Sequence, residues 1–375
     1  MWKYVLLTLV ATTTMAADQH PTLALGSQAP NFALPGIDGK IHKLGDYDAK
    51  KVMVVIFTCN HCPIAQMYEA RIKQLDAEYR GKSVGIVVIQ PNDPNAIRVD
   101  ELDSSDVSDS LAEMKIRAAY KHIGYTYLYD GATQSVANAY GPKATPHVFV
   151  FDRQRKLRYE GRFDDSYRLE LVKSHDTRNA IDALLADKPV PREHTGVFGC
   201  STKWKYKEKD SLDQLRKIEA ESVNLELATA ADMKSLRSNG TDKLLLVLFW
   251  NTQSSPSIKT LSDLETSYQM YRQRDFDFVS VSTNAPNEQA DVLKTLRRQH
   301  ASSRNLMFAF DRTGALQAGL DPEWQSTLPY IVLISSGGKI VFQEKGDLDI
   351  LRLRRTILAN LPADYAGFQR YWTVN

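Results

Sequence analysis

Two of the chain's three cysteines, Cys59 and Cys62, lie three residues apart in FTCNHCP (57–63), with Asn60 and His61 between them and Pro63 after. A cysteine pair at that spacing can open and close a short-loop disulfide. The same two thiols with His61 are also soft and imidazole ligands of the kind copper takes. Two small buried hydrophobes is the plain third reading. Cys200, in FGCSTKWK, leaves an odd thiol. It reads either as a buried tail thiol or as a third redox cysteine exchanging with Cys59 or with a partner.

The apolar run KVMVVIF (51–57) ahead of the pair reads as a buried strand. After Pro63, residues Ile64, Met67, Tyr68, Ile72, Leu75 and Tyr79 recur at helical spacing, and Gly81 closes the element. Strand, turn and helix in that order put Cys59 at or just before a helix N-terminus. The free N–H groups there favour an anion by about 0.3–1 kcal/mol, and the thiolate is the nucleophile. On this reading Cys59 attacks or is attacked, and Cys62 resolves the mixed disulfide. His61 is expected to donate a hydrogen bond or a charge toward the Cys59 sulfur. Stabilising the reduced form in this way makes a stronger oxidant.

The elements that must position these groups alternate. Strands are expected at 84–90, TYLYD, 147–152 and 156–162, with helices near 109–122, 132–140 and 176–187 and a small hairpin around Asp38-Gly39. That order argues for an α/β sandwich with a mixed sheet. The stretch 91–109 carries six acidic residues and one Arg. It is expected to be a solvated surface loop, or else a lid or partner-contact loop near the site. Residues 189–222 shift toward Pro, Lys and Glu and read as a linker or docked tail. The pattern then restarts: a helix near 230–238, strand KLLLVLF (243–249), a long helix, and further strands to a last helix near 348–360.

A chain of 375 residues exceeds what one core usually serves, so two domains are expected. Lys plus Arg (47) nearly balances Asp plus Glu (45), which gives no electrostatic case for nucleic acid. Trp204 and Tyr206, set among Lys203, Lys205 and Lys207, form too short a strip to change that. Residues 1–17 read as a signal peptide: Lys3, a short apolar run over 4–15, then Ala16 and Ala17. That run is too short for a membrane span, and no later stretch serves. The mature protein is therefore expected to be exported, periplasmic or extracellular, with no stable membrane insertion, where a dithiol can cycle or lock.

These residues resemble the thioredoxin superfamily. GSQAPNFALPGIDGK, the strand before TCNHCP, LYDGATQSVANAYGPKATPHVFVFD and LRYEGRFDD are similar to its peroxiredoxin-like (alkyl hydroperoxide reductase / thiol-specific antioxidant) branch. The second half resembles a thioredoxin-like domain in which FWNTQSSPS (249–257) puts Ser254 and Ser257 in the two Cys positions. The resemblance implies two tandem thioredoxin-like α/β/α sandwich domains with central mixed β-sheets. The redox-active one spans 22–188 and the thiol-less one 223–365. It implies a thiol-disulfide oxidoreductase acting on protein thiols and disulfides with an unidentified redox partner, without cofactor or resident metal. The family's cis-proline falls on Pro146 and on Pro329. Thr145 before Pro146 would then supply main-chain hydrogen bonds to an extended substrate peptide.

Two departures bear on the chemistry. The buried acid that thioredoxins carry six residues before the first Cys is Met53 here and Leu248 in the second domain. Proton transfer therefore needs another group. A thiol peroxidase would place Thr or Ser three residues, and Pro seven, before its reactive Cys. Cys59 and Val55 hold those places for Cys62, and Ile56 and Val52 for Cys59. Peroxidase activity and a copper-binding or delivery module using Cys59, Cys62 and His61 stand as the alternatives.

Overall fold

The computed structural model of the chain describes residues 20–308, 321, 324 and 327–362. The signal-peptide expectation (1–17) lies outside the described residues.

Strands β1 (Ala33–Pro35) and β2 (Ile41–Lys43) form the hairpin expected around Asp38-Gly39. The first sheet follows, from β3 (Val52–Phe57), β4 (Val84–Gln90), β5 (Tyr127–Tyr129), β7 (His147–Phe151) and β8 (Leu157–Gly161), in the order β5-β4-β3-β7-β8. Between β5 and β7 lies the two-residue β6 (Ala144–Thr145). Strand β3 runs parallel to β4 and antiparallel to β7. Its apolar run is unbroken because both sheet faces are covered. Val52, Val54 and Ile56 pack with α1 (Pro63–Tyr79), whereas Met53, Val55 and Phe57 pack on the opposite face. The remaining helices of this half are α2 (Leu111–Lys121), α3 (Ser135–Tyr140) and α4 (Asp176–Leu185).

The stretch expected to be a linker is more ordered than its composition implies. Cys200 and Ser201 form strand β9, which pairs antiparallel with β6, Thr145 opposite Cys200. Helix α5 (Glu208–Glu219) follows. It buries only Ser211 and Ile218, and leaves Leu212 and Leu215 exposed on the same side at helical spacing.

The second sheet has β10 (Glu226–Ala228), β11 (Leu244–Trp250), β12 (Phe276–Ser282), β13 (Arg304–Phe308), β14 (Tyr330–Ile334) and β15 (Ile340–Lys345), ordered β10-β13-β12-β11-β14-β15. Helices α6 (Ala230–Ser238), α7 (Ser255–Tyr271), α8 (Gln289–Arg298) and α9 (Ile350–Asn360) cover it. The central strand β11 has a parallel neighbour in β12 and an antiparallel one in β14, as β3 has in β4 and β7. The two halves thus repeat one topology. Thr145-Pro146 and Leu328-Pro329 are both cis.

The acidic stretch 91–109 is not a solvated loop but packs against the second half of the chain. Asp103, Ser105, Asp106 and Asp109 are buried. Val99 and Leu102 pack on the core of the second sheet. The Tyr271 hydroxyl donates to the Ser105 carbonyl at 2.8 Å, and the Arg274 guanidinium to that of Asp103 at 3.1 Å. Asp106 pairs with Arg117 of α2 at 3.4 Å and Arg355 of α9 at 2.7 Å. Partners outside the stretch neutralise acids within it: Arg117 and Arg355 at Asp106, Lys203 at Glu101 and His61 at Asp109, which is why the local charge count misled.

Candidate dithiol site

The α1 helix begins at Pro63, with Cys62 as its N-cap in extended conformation (φ −68°, ψ 120°). Proline suits that first turn because its missing N–H would have had no helical partner. The helix N-terminus therefore falls at Cys62 rather than at Cys59, which corrects the expected placement. The sheet register agrees. Phe57 pairs with His147, and Phe249 with Tyr330, each the residue after a cis-proline. Five residues on from each lie Cys62 and Ser254. Ser254 is likewise the N-cap of its helix, its hydroxyl accepting from the Ser257 amide at 3.3 Å. By register Cys62, not Cys59, is the counterpart of Ser254.

The structure brings all three cysteines together as free, buried thiols: Cys59 is 2% exposed, Cys62 0% and Cys200 3%. The Cys62 sulfur receives the Cys200 amide at 3.3 Å and lies 3.5 Å from the Thr145 carbonyl oxygen. The Cys59 sulfur lies 3.1 Å from the Thr145 hydroxyl. Burial pushes the Cys62 thiol up, but hydrogen bonding from Cys200 and Cys59, the His61 charge and the Ala65 amide outweigh it and hold it well below the usual range. Burial and the neighbouring Cys62 sulfur, with the Asp109 charge, push Cys59 well above its usual range. Cys200 is raised too, by its hydrogen bond to Cys62 and by burial. Of the three thiols Cys62 is therefore the one that ionises most readily.

His61 does not serve Cys59 as expected. Its Nδ1 pairs with Asp109 Oδ2 at 2.7 Å, and its Nε2 is buried without a hydrogen-bond partner. Asp109 also accepts from the main-chain amides of Asn60 (2.8 Å) and His61 (3.1 Å) and from the Asn92 side chain (2.8 Å). Burial alone would raise Asp109, yet the His61 charge and hydrogen bond lower it. Burial lowers His61, and Asp109 reverses that and raises it. An ionised pair therefore lies beside the dithiol. Asp109 is the residue the sequence reading missed. The S-x-x-E pattern of Ser110 and Glu113 marks the start of α2 just after it, but nothing in the sequence ties it to a histidine 48 positions away.

The strand edge expected to receive a peptide through Thr145 is occupied by the chain's own β9. Gly199 permits the approach: its φ is +147°, and a Cβ there would run into the Thr145 carbonyl. The segment is tied down beyond the cysteine. The Lys203 amide donates to Asn92 at 2.8 Å, and its ammonium, buried, meets Glu101 at 2.6 Å. Trp204 stacks on His20 with ring centroids 3.7 Å apart. The lysine-aromatic strip is thus a docked segment. His147 is locked elsewhere, to Glu160 at 2.7 Å.

A sheet whose central strand leads through a cysteine pair to a helix, beside a cis-proline, defines a redoxin-type domain. This part of the chain belongs to the thioredoxin superfamily, in its peroxiredoxin-like redoxin branch. Residues 25–160 match the AhpC/TSA family. The chain is 23% identical over 143 residues to the thiol-disulfide oxidoreductase ResA of Geobacillus thermodenitrificans, covering 37% of this chain and 70% of that protein. Among solved structures it is similar to an uncharacterized conserved protein of Geobacillus kaustophilus (36% identity, 51% of this chain, 97% of that one, TM-score 0.43). It is also similar to a hypothetical protein of Sinorhizobium meliloti (32% identity, 49% and 97%, TM-score 0.44).

Proposed function

We propose that the chain is an exported thiol-disulfide oxidoreductase that cycles Cys59 and Cys62 between dithiol and disulfide on protein thiols. The observation that carries this reading is Cys62 at a helix N-cap, its sulfur receiving the Cys200 amide at 3.3 Å, with Cys59 three residues before it. A low-pKa thiol with an adjacent partner is the arrangement that disulfide exchange needs. Cys62 is the exchanging sulfur and Cys59 its resolving partner, the reverse of the order expected from sequence. The Asp109–His61 pair provides an ionisable group at the site, where Ile56, six residues before Cys62 as Leu248 is before Ser254, supplies none. Export rests on the character of residues 1–17 alone. Among the described residues no helix is long and apolar enough to cross a membrane.

The test is a glutathione redox titration of metal-free protein, read by thiol alkylation and mass spectrometry. A reversible Cys59–Cys62 bond with a defined potential is expected. Absence of that bond at every glutathione ratio overturns the reading. A copper-holding reading has one observation in its favour: ligand atoms of Cys59, His61 and Asp109 lie within 4.8 Å of one another. Against it, Asp109 spends its oxygen on His61 directly. Copper that co-purifies at one ion per chain and blocks alkylation of Cys59 would move the assignment to that reading.

A further inference from the structure

We propose that Cys200 is a second resolving thiol, docked on the substrate edge by β9, and that it forms a disulfide with Cys62. The inference deepens the dithiol reading and rests on it. Strand β9 lies where that reading seats a substrate peptide, antiparallel to Ala144–Thr145 with Cys200 opposite Thr145. Its amide already donates to the Cys62 sulfur at 3.3 Å. The chain therefore presents its own cysteine to its own exchange centre, in the pose of a bound substrate. Asn92, Glu101 and Trp204's partner His20 anchor that segment just beyond the cysteine.

The exchange is balanced without an outside reagent. Starting from the Cys59–Cys62 disulfide, the Cys200 sulfur loses its proton and attacks the Cys62 sulfur. The Cys59–Cys62 bond breaks, the Cys62–Cys200 bond forms, and Cys59 leaves as a thiolate that takes up the proton. One disulfide is exchanged for another, so the oxidation level is unchanged. Oxidising equivalents enter only from an external disulfide, as the dithiol reading already requires. The centre then has two oxidised forms, one of which clamps the segment onto Thr145 and leaves Cys59 reduced.

The test uses the full chain bearing Cys59→Ser, incubated with oxidised glutathione, quenched with an alkylating agent and mapped by peptide mass spectrometry. Cys62 first displaces glutathione thiolate and forms a mixed disulfide. Cys200 then displaces the second glutathione. The expected result is a Cys62–Cys200 peptide pair in about half or more of the chains, with little glutathione retained. A folded Cys59→Ser protein that keeps glutathione on Cys62, with Cys200 still alkylatable, overturns the proposal. Should that variant fail to fold, the same mapping on wild-type protein decides by the presence or absence of the pair. The Cys200→Ser chain separates the two claims. Its failure to form Cys59–Cys62 sinks the dithiol reading, whereas its success with no Cys62–Cys200 bond in Cys59→Ser sinks only this one.

Discussion

The charge at Cys62 is held by groups that differ in how they can be removed. His61→Ala deletes a nearby positive charge and leaves the Cys200 amide in place. The Cys62 thiolate absorbance near 240 nm should then titrate at higher pH than in wild type. An unmoved titration would mean that the hydrogen bonds alone hold the charge. The paired Asp109 is a stability matter as well. His61 has a folded pKa raised above 6.5, so its contribution is full below that value and is lost as pH rises through the folded one. Asp109 is lowered below 3.8, so its contribution is present above that and is lost as pH falls through its folded value. The pair therefore stabilises most between the two. Asp109→Ala, which strips one partner from a buried pair, should cost about 3–5 kcal/mol in urea unfolding near pH 5. It should cost less once the pH has risen through the folded His61 value, where the imidazole loses its charge. Much of this was readable from Cys59, His61 and Cys62 as a motif. Which sulfur carries the charge was not, because it depends on where the helix starts and on Cys200, 138 positions on.

Between residue and domain, two segments carry the site: the 91–109 stretch and the β9 strand. Gly199→Ala tests the second. A Cβ collides with the Thr145 carbonyl, so β9 must lift from β6. Faster alkylation of Cys200, by roughly tenfold, is expected, because reactivity of a buried thiol follows the population of the opened segment. Unchanged alkylation would show that the strand tolerates the methyl group. Sequence patterning found the long strands and helices because burial on both faces or on one stripe leaves a period. It did not find β9 or β10, which are two and three residues long. Pairing across the chain defines those strands, and no local period exists to read.

For the whole molecule, the joint between the halves runs through Asp106, which two arginines from different domains share. Asp106→Asn should let the two halves unfold separately, visible in calorimetry as two transitions in place of one. A single transition at the wild-type temperature would remove Asp106 from the joint. The second domain also carries a buried acid, Glu265, which burial raises to about 8 despite its bond with Ser303. A carboxyl raised in the folded state favours folding below its ordinary value of 4.5 and penalises it as pH climbs from there toward 8. Glu265→Gln should therefore flatten the fall in melting temperature between pH 5 and 8.5. The repeated topology was legible because Pro146 and Pro329 follow matching strands and helices. The joint was not, since its partners lie 11 and 249 positions from Asp106.

Burial of all three sulfurs carries a kinetic signature. If lifting β9 is what exposes them, each reaction waits on one internal event. At low concentration, different substrates will run at different speeds. At high concentration their rates will converge on a common ceiling, equal to the rate of peeling and indifferent to which molecule is waiting.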